Sequence, residues 1–529
     1  RAGGEVLRRE TNAFGVVAVS KEHPRRKLLK TLAGGEGISV GMAMILLATG
    51  IRDAAGFGDS DKGGGRSSGG LKYVGNIIDT VADVVEGLVE FMSQDPEYYK
   101  LLPGPKEMIE DYGAGYESAM AAWRPVIKRA REKEEEREIR KLQEEKGEDE
   151  EDKGRVVDEN EGKDEETLEE YLPLSDAMVE AYGRMLPEEK SVNIAPLTFG
   201  LFWCWEISDL HVPGDLYRGE GERMKREVKK IESMLSSNGK RNMEQNTREV
   251  LDAKRKLVDI KKTMVSLREE EDTGRRRMRR VRRTIEEKRE EFYGGLEQTV
   301  IRGFETTFLT TCLIPRLLMS PEDAWYSAKF LSLFHSLEVT KFGTFAMYDL
   351  IMRTFPAILE AATEREAQGV GVFMKEVLGI TRMWMRDAVK YEEEAGGKLG
   401  FHTSQSDSAK RTTHEAYVSV ARTWGARMLE AVLKGLGNKE YIRIRSTLIV
   451  LTAVADVWPD EKDAGDKVVE GVKRLEGEER MDLEAMSKSY LAIIGKKKLD
   501  WGGSSEGNGK SKKKKDEKSA KKDERGVKK

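Results

Sequence analysis

Residues 250–292 repeat an apolar side chain every seven positions. Val250, Leu257, Met264, Met278, Ile285 and Phe292 share one heptad position, interrupted only by Glu271. Ala253, Ile260, Leu267 and Val281 share the matching second position, with Gly274 and Lys288 as defects. Two apolar positions in seven define a coiled-coil seam, a stripe too narrow to be buried except against another helix. Upstream, Met224, Val228, Ile231 and Leu235 step by four, three and four, and Ser236, Ser237, Asn238 and Gly239 then break the pattern. Two helical arms with a turn between them predict an antiparallel hairpin over 215–300. The second arm outlasts the first. At 1.5 Å per residue it reaches about 70 Å, so part of it needs a further partner helix. The adjacent defects at Glu271 and Gly274 predict a local weakening.

Elsewhere, too, apolar residues recur at three and four rather than at two. Ile77, Val81, Val84, Val85, Leu88, Phe91 and Met92 form one such stripe, and others run over 345–355, 372–385, 417–436 and 441–457. With only 13 prolines to interrupt them, these stripes predict an all-α protein of helix pairs interrupted by the long hairpin. Charged residues make up 35% of the chain, against roughly 25% in an average domain, so much of it must stay solvated. Segment 132–170 mixes Glu, Asp, Lys and Arg with almost no apolar residue and reads as a fraying solvated helix or a disordered linker. The expected order is a helical segment with a Gly-rich loop (1–131), the charged linker (132–170), a short helical segment (171–214) and the hairpin (215–300). A helical domain follows in two parts (301–391 and 414–501) around a loop (392–413), and a disordered basic tail (502–529) ends the chain. The first residue is Arg1 rather than Met, which reads as a fragment or a processed piece.

Several function classes are unsupported. Two cysteines, Cys204 and Cys312, rule out a disulfide framework or a cysteine-rich zinc site and favour a reducing compartment. The longest apolar run, 38–49, contains Gly41 and is short of the about 20 residues that span a bilayer. No signal pattern precedes it, and no membrane association is expected. The histidines, His23, His211, His335, His402 and His414, are scattered, whereas zinc needs three or four converging ligands. Asp209 with His211 lacks a nucleophile, so a helix-end hydrogen bond is the expected role. Gly369 and Gly371 lack the third glycine and preceding strand of a dinucleotide site and read as a close helix contact. No catalytic residue, metal, cofactor or small-molecule substrate is expected.

Segment 198–217 gathers Phe199, Phe202, Trp203, Trp205 and Tyr217 around a stop at Pro213. A core helix is the simpler reading of these aromatics, a docking face the alternative. The arginine run is the better functional candidate. Arg275, Arg276, Arg277, Arg279, Arg280, Arg282 and Arg283 occupy seven of nine positions, flanked by acids at 269–272 and 286–291. Three readings stay open: ion pairing along the helix, an acidic protein surface, and an RNA backbone. In the tail, Lys512, Lys513, Lys514, Lys515, Lys518, Lys521 and Lys522 favour sequence-independent nucleic-acid contact or a nuclear import signal, with a solubilising tail as the plain alternative. No aromatic residue is interleaved there to stack on bases.

A set of ordered motifs adds a family resemblance. Phe202-Trp203, Asp209-Leu210, Val212-Pro213 and Tyr217 are followed by Phe308-Leu309, Cys312 and Pro315-Arg316. Asp323-Ala324, Tyr326, Ala328, Phe330, His335 and Tyr348-Asp349 come next, then Glu440-Tyr441, Ile444-Arg445, the block 448–452, Asp482-Leu483 and Tyr490. In order and spacing this set resembles the THO complex subunit 2 family, over roughly 38–501. The resemblance implies a nuclear, non-enzymatic α-solenoid scaffold that holds the other THO subunits within TREX. It implies a role in coupling transcription to mRNP assembly and mRNA export, and a C-terminal tail that contacts RNA or DNA. Set against such proteins, the sequence reads as a much shorter stretch without their long N-terminal solenoid. The rival expectation is a direct RNA- or DNA-binding protein acting mainly through the arginine helix and the lysine tail.

Overall fold

The computed structural model describes residues 43, 45, 68–93, 102–145, 169–186, 193–238, 247–293, 303–339, 342–401 and 411–501, and these form an all-α protein with no strand among them. Expectations for 56–67, 146–168, 402–410 and the tail 502–529 fall outside the described residues. The helices that carry the architecture begin with α1 (Ser68–Met92), α2 (Tyr116–Glu145), α3 (Pro196–Cys204), α4 (Gly214–Asn238) and α5 (Thr247–Lys288). They continue through α6 (Pro321–Ser336), α7 (Thr344–Ala361), α8 (Glu364–Arg386), α9 (His414–Leu436), α10 (Tyr441–Val454), α11 (Lys462–Lys473) and α12 (Met481–Trp501).

α4 and α5 lie antiparallel. Tyr217 donates to Glu270 at 2.9 Å, while Lys256 pairs with Glu227 at 2.8 Å and Lys261 with Glu232 at 3.0 Å. Between 250 and 270, only Val250, Ala253, Leu257, Ile260, Met264 and Leu267 escape full exposure. Opposite them, Met224 and Ile231 of α4 are buried. Toward the base of α5 the surroundings change. Met278 is half-buried, Val281 and Ile285 are buried, and Phe292 beyond the helix end stacks on Phe334 with ring centroids 5.5 Å apart. Here the covering elements are the short helix Ile207–Leu210 and α2, which replace α4. The heptad interruption falls at this handover. A Cβ on Gly274 would sit 3.0 Å from Val212 Cγ2, so the turn after Leu210 crosses the helix where a side chain is missing.

Helix starts follow their sequence signals. Ser320 caps α6, accepting from the Asp323 amide at 3.1 Å, and Pro321 occupies the first turn. Thr363 and Glu366 form a capping box on α8. That helix start also binds α1: the Arg365 amide donates to Asp79 at 3.1 Å, and the Arg365 guanidinium meets Asp83 at 3.0 Å and Glu86 at 2.6 Å. α8 then runs between α6 and α10. Gly369 permits this, because a Cβ there would meet the Leu317 carbonyl oxygen at 2.2 Å, and a Cβ on Gly371 would meet Ala453 at 2.6 Å.

Two stretches are more ordered than their composition indicates. α2 continues as one helix through residue 131 to Glu145. The chain after 391 forms short helical turns through Phe401, whose ring is buried against His335, Trp384, Tyr391 and Tyr417.

Two glycine substitutions should act in opposite directions. Gly369→Ala drives a methyl into a backbone carbonyl and should lower unfolding free energy by about 1–3 kcal/mol. Gly219, inside α4, has nothing within 4 Å of its Cβ position, so Gly219→Ala should raise stability by about 1 kcal/mol. Urea titration of both variants checks the pair.

Candidate interaction surface on the arginine helix

The surface begins with a buried charge. Arg316 is fully buried among aromatic rings, its guanidinium 3.6 Å from the Tyr326 ring centroid. Its Nε donates to Asp323 Oδ1 at 2.8 Å, Nη2 donates to the Trp205 carbonyl at 2.6 Å, and Nη1 donates to the Phe202 carbonyl. The Tyr326 hydroxyl also donates to the Phe202 carbonyl, at 2.9 Å. These carbonyls end α3, where no following helical turn satisfies them. Asp323 accepts from Arg316, from Ser320 Oγ at 3.0 Å, and from Arg124 of α2 in a bidentate pair. Burial alone would push the Asp323 carboxyl up, but the flanking Arg124 and Arg316 guanidiniums overcome it and hold the carboxyl at about 2.

α2 extends this arrangement as a charged strip. One turn on from Arg124, Lys128 meets Glu206 at 2.9 Å, and Arg131 meets the buried Asp209 at 2.8 Å. Then the sign of the helix reverses. Glu132 and Glu135 each accept from Arg277 at 3.1 Å, Glu135 also lies 3.6 Å from Arg276 Nε, and Glu138 pairs with Arg280. Glu135 is only 7% exposed, so this contact is less screened by solvent than surface pairs are. Burial would lower the pKa of Arg277, but the hydrogen bond it donates to Glu135 and the Glu132 charge outweigh it and raise it.

α2 therefore divides the arginine run. Arg277 and Arg280 turn inward to α2. Arg275 pairs within α5 to Glu271 at 2.6 Å and Arg282 to Glu286 at 3.1 Å. Arg279 and Arg283 are exposed and have no acidic partner among the described residues. With the half-engaged Arg276 they fall at i, i+3 and i+7, which places three guanidiniums on one face.

The profile of the Tho2 family, described as "Transcription factor/nuclear export subunit protein 2", matches residues 192–494. The chain belongs to the Tho2 family. Among curated relatives, THO complex subunit 2 of Arabidopsis thaliana is 24% identical over 508 residues, covering 94% of this chain and 27% of the relative. That of Homo sapiens is 24% identical over 510 residues, covering 94% and 30%. That of Saccharomyces cerevisiae is 25% identical over 321 residues, covering 60% and 17%. The chain thus spans less than a third of the length of these relatives.

The Tho2 match runs from the segment before α3 to near the end of α12, so it contains both halves of the buried node. Phe202, Arg316, Asp323 and Tyr326, drawn from motif blocks more than a hundred residues apart, meet at one point. Trp203 and Trp205 are buried in the core beside it. His211 donates its backbone amide to the Ile207 carbonyl at 2.9 Å, and its ring packs edge-on against Trp325. His335 is held between Thr344 Oγ1 at 3.1 Å and the Glu394 carbonyl at 2.7 Å. Burial lowers its pKa. Among the described residues no cluster of three His, Cys, Asp or Glu is placed to hold a metal ion, and no helix is long and apolar enough to cross a membrane. Cys204 is buried with the Tyr182 hydroxyl 2.9 Å away, and burial pushes its thiol up to about 11. The tail lysines 512–522 lie outside the described residues.

Glu132, Glu135 and Glu138 are the partners of Arg277 and Arg280 that the arginine run does not itself announce. Their spacing of three is the only signal for them, and in a segment this rich in glutamate it is weak.

Asp323→Asn leaves two buried guanidiniums without a carboxylate and should cost about 3–5 kcal/mol at pH 7. Because the native carboxyl titrates below its unfolded value, the wild-type contribution is complete above about pH 4 and fades as the pH falls toward 2. Urea unfolding between pH 2 and 7 should show a shallower loss of stability toward pH 2 in the variant than in the wild type, the difference being the share of Asp323. Neither cysteine should react with a thiol probe at pH 8 until the chain is unfolded.

Proposed function

We propose that this chain is a non-enzymatic scaffold segment of a THO/TREX-type complex. In the nucleus it holds other THO subunits and takes part in coupling transcription to mRNP assembly and mRNA export. The carrying observation is that a Tho2 family match covers the motif residues, most of which, Phe202, Arg316, Asp323 and Tyr326 among them, are committed to a buried framework. A long projecting hairpin on a rigid base suits a part whose work is to position other proteins. Weak, sequence-independent contact with RNA or DNA belongs to the reading as well, through the face carrying Arg279, Arg283 and the half-engaged Arg276 and through the tail lysines, since guanidiniums without an acidic partner, as at Arg279 and Arg283, favour phosphate.

The second reading, a protein acting chiefly by binding RNA or DNA, draws on the same exposed Arg279 and Arg283. The two readings part on one experiment. The tagged chain is recovered from nuclear extract with and without nuclease. A scaffold retains a fixed set of THO subunits after nuclease, whereas loss of every partner favours the second reading. Arg279→Glu with Arg283→Glu should leave retained proteins unchanged, weaken RNA binding, and reduce the salt dependence of that binding by about one unit per lost phosphate contact.

A further inference from the structure

α5 carries a second apolar stripe apart from its seam. Leu251, Val258 and Val265 are spaced by seven and are 49%, 62% and 55% exposed. They lie about a third of a turn away from the Leu257–Met264 seam that faces α4, at 100° per residue. Isolated exposed aliphatics need no explanation, but three in heptad register along about 21 Å of one helix form a line that another helix could cover. The rungs between them are basic: Lys254 and Arg255 follow Leu251, and Lys261 and Lys262 follow Val258. Arg255 stands 3.9 Å from Asp252, and Lys261 reaches across to Glu232. Lys254 and Lys262 have no acidic partner among the described residues.

We propose that this stripe is a docking surface for an acidic amphipathic helix of a partner protein, which would lie along α4 and α5 as the third helix of a coiled coil. The apolar positions supply the seam and the flanking cations set the sign of the partner, as flanking charges do in coiled-coil pairing. A second copy of this chain is a poor occupant, because in either orientation it would bring lysines and arginines against the same cations. Nucleic acid is a poor occupant too: the line holds aliphatic residues and no aromatic ring to stack on a base. The stripe ends eleven residues before Arg276 on the same helix, and the inference stands on Leu251, Val258, Val265 and the cations between them alone, whichever complex the chain serves.

The test uses the full chain and two fluorescent synthetic helices of about three heptads. Both carry leucine at the seam positions; one carries glutamate and the other lysine at the flanking positions. Anisotropy should show the glutamate helix binding at least about tenfold more tightly than the lysine helix, with the difference shrinking as salt rises. Val258→Ser with Val265→Ser should abolish binding of both. Lys254→Glu with Lys262→Glu should reverse the preference. All four positions are exposed, so circular dichroism and thermal unfolding should be unchanged in both variants. Equal binding of the two helices, or unchanged binding by the serine variant, would overturn the proposal. So would a dimer in sedimentation that the serine variant dissolves, since that would make a second copy the occupant. None of these outcomes bears on nuclease-resistant recovery of THO subunits, so this inference and the scaffold reading fail separately.

Discussion

The arrangement depends on how α2 matches its charges to its neighbours. Its first cationic stretch, Arg124, Lys128 and Arg131, faces Asp323, Glu206 and Asp209. Its following acids, Glu132, Glu135 and Glu138, face Arg277 and Arg280. One helix thereby joins the buried Arg316–Asp323 node to the base of the projecting arm. Buried charges are costly when unpaired, so this matching restricts α2 to one register. A slip of one turn would set like charges against each other at several positions.

The consequence for the arm is mechanical. Among the described residues, the distal part of α5 has α4 alone beside it and half-buries its seam, while the base from Val281 to Phe292 is enclosed. Stability therefore rises toward the core, and the handover between the two environments lies where Val212 crosses Gly274. The segment rich in aromatics, 198–217, sits at the start of this arrangement. It supplies the carbonyls that Arg316 satisfies, the acids that α2 pairs with, and the turn from which α4 departs.

The helical nature of the chain was legible in its sequence because apolar residues at three, four and seven leave a pattern that needs no partner to be seen. The close approach at Gly369 was legible for a similar reason: small residues on a helix face mark where another backbone passes. The role of α2 was not. Beyond Arg131 it has almost no apolar residue, its attachment is electrostatic, and charges carry no obligatory period. The arginine run could be recognised as an excess, yet its division into inward Arg277 and Arg280 and outward Arg279 and Arg283 depends on acids 142 residues away. Arg316 shows the same limit. Its burial rests on the end of α3 and on α6, with Arg124 of α2 on the same carboxylate, and no local pattern announces such a convergence. Phe401 was hidden by the opposite problem, a single anchoring ring inside a stretch whose Gly, Ser and Lys content reads as loop.

A charge-reversal cycle at Glu135 and Arg277 tests most directly whether α2 holds the base of the arm. Glu135→Arg and Arg277→Glu are made singly and together, and each chain is unfolded in urea at neutral pH. The account predicts that each single change destabilises and that the double change recovers much of the loss, a coupling of about 1–3 kcal/mol. Additive losses, with the double variant as unstable as the two singles summed, would contradict it.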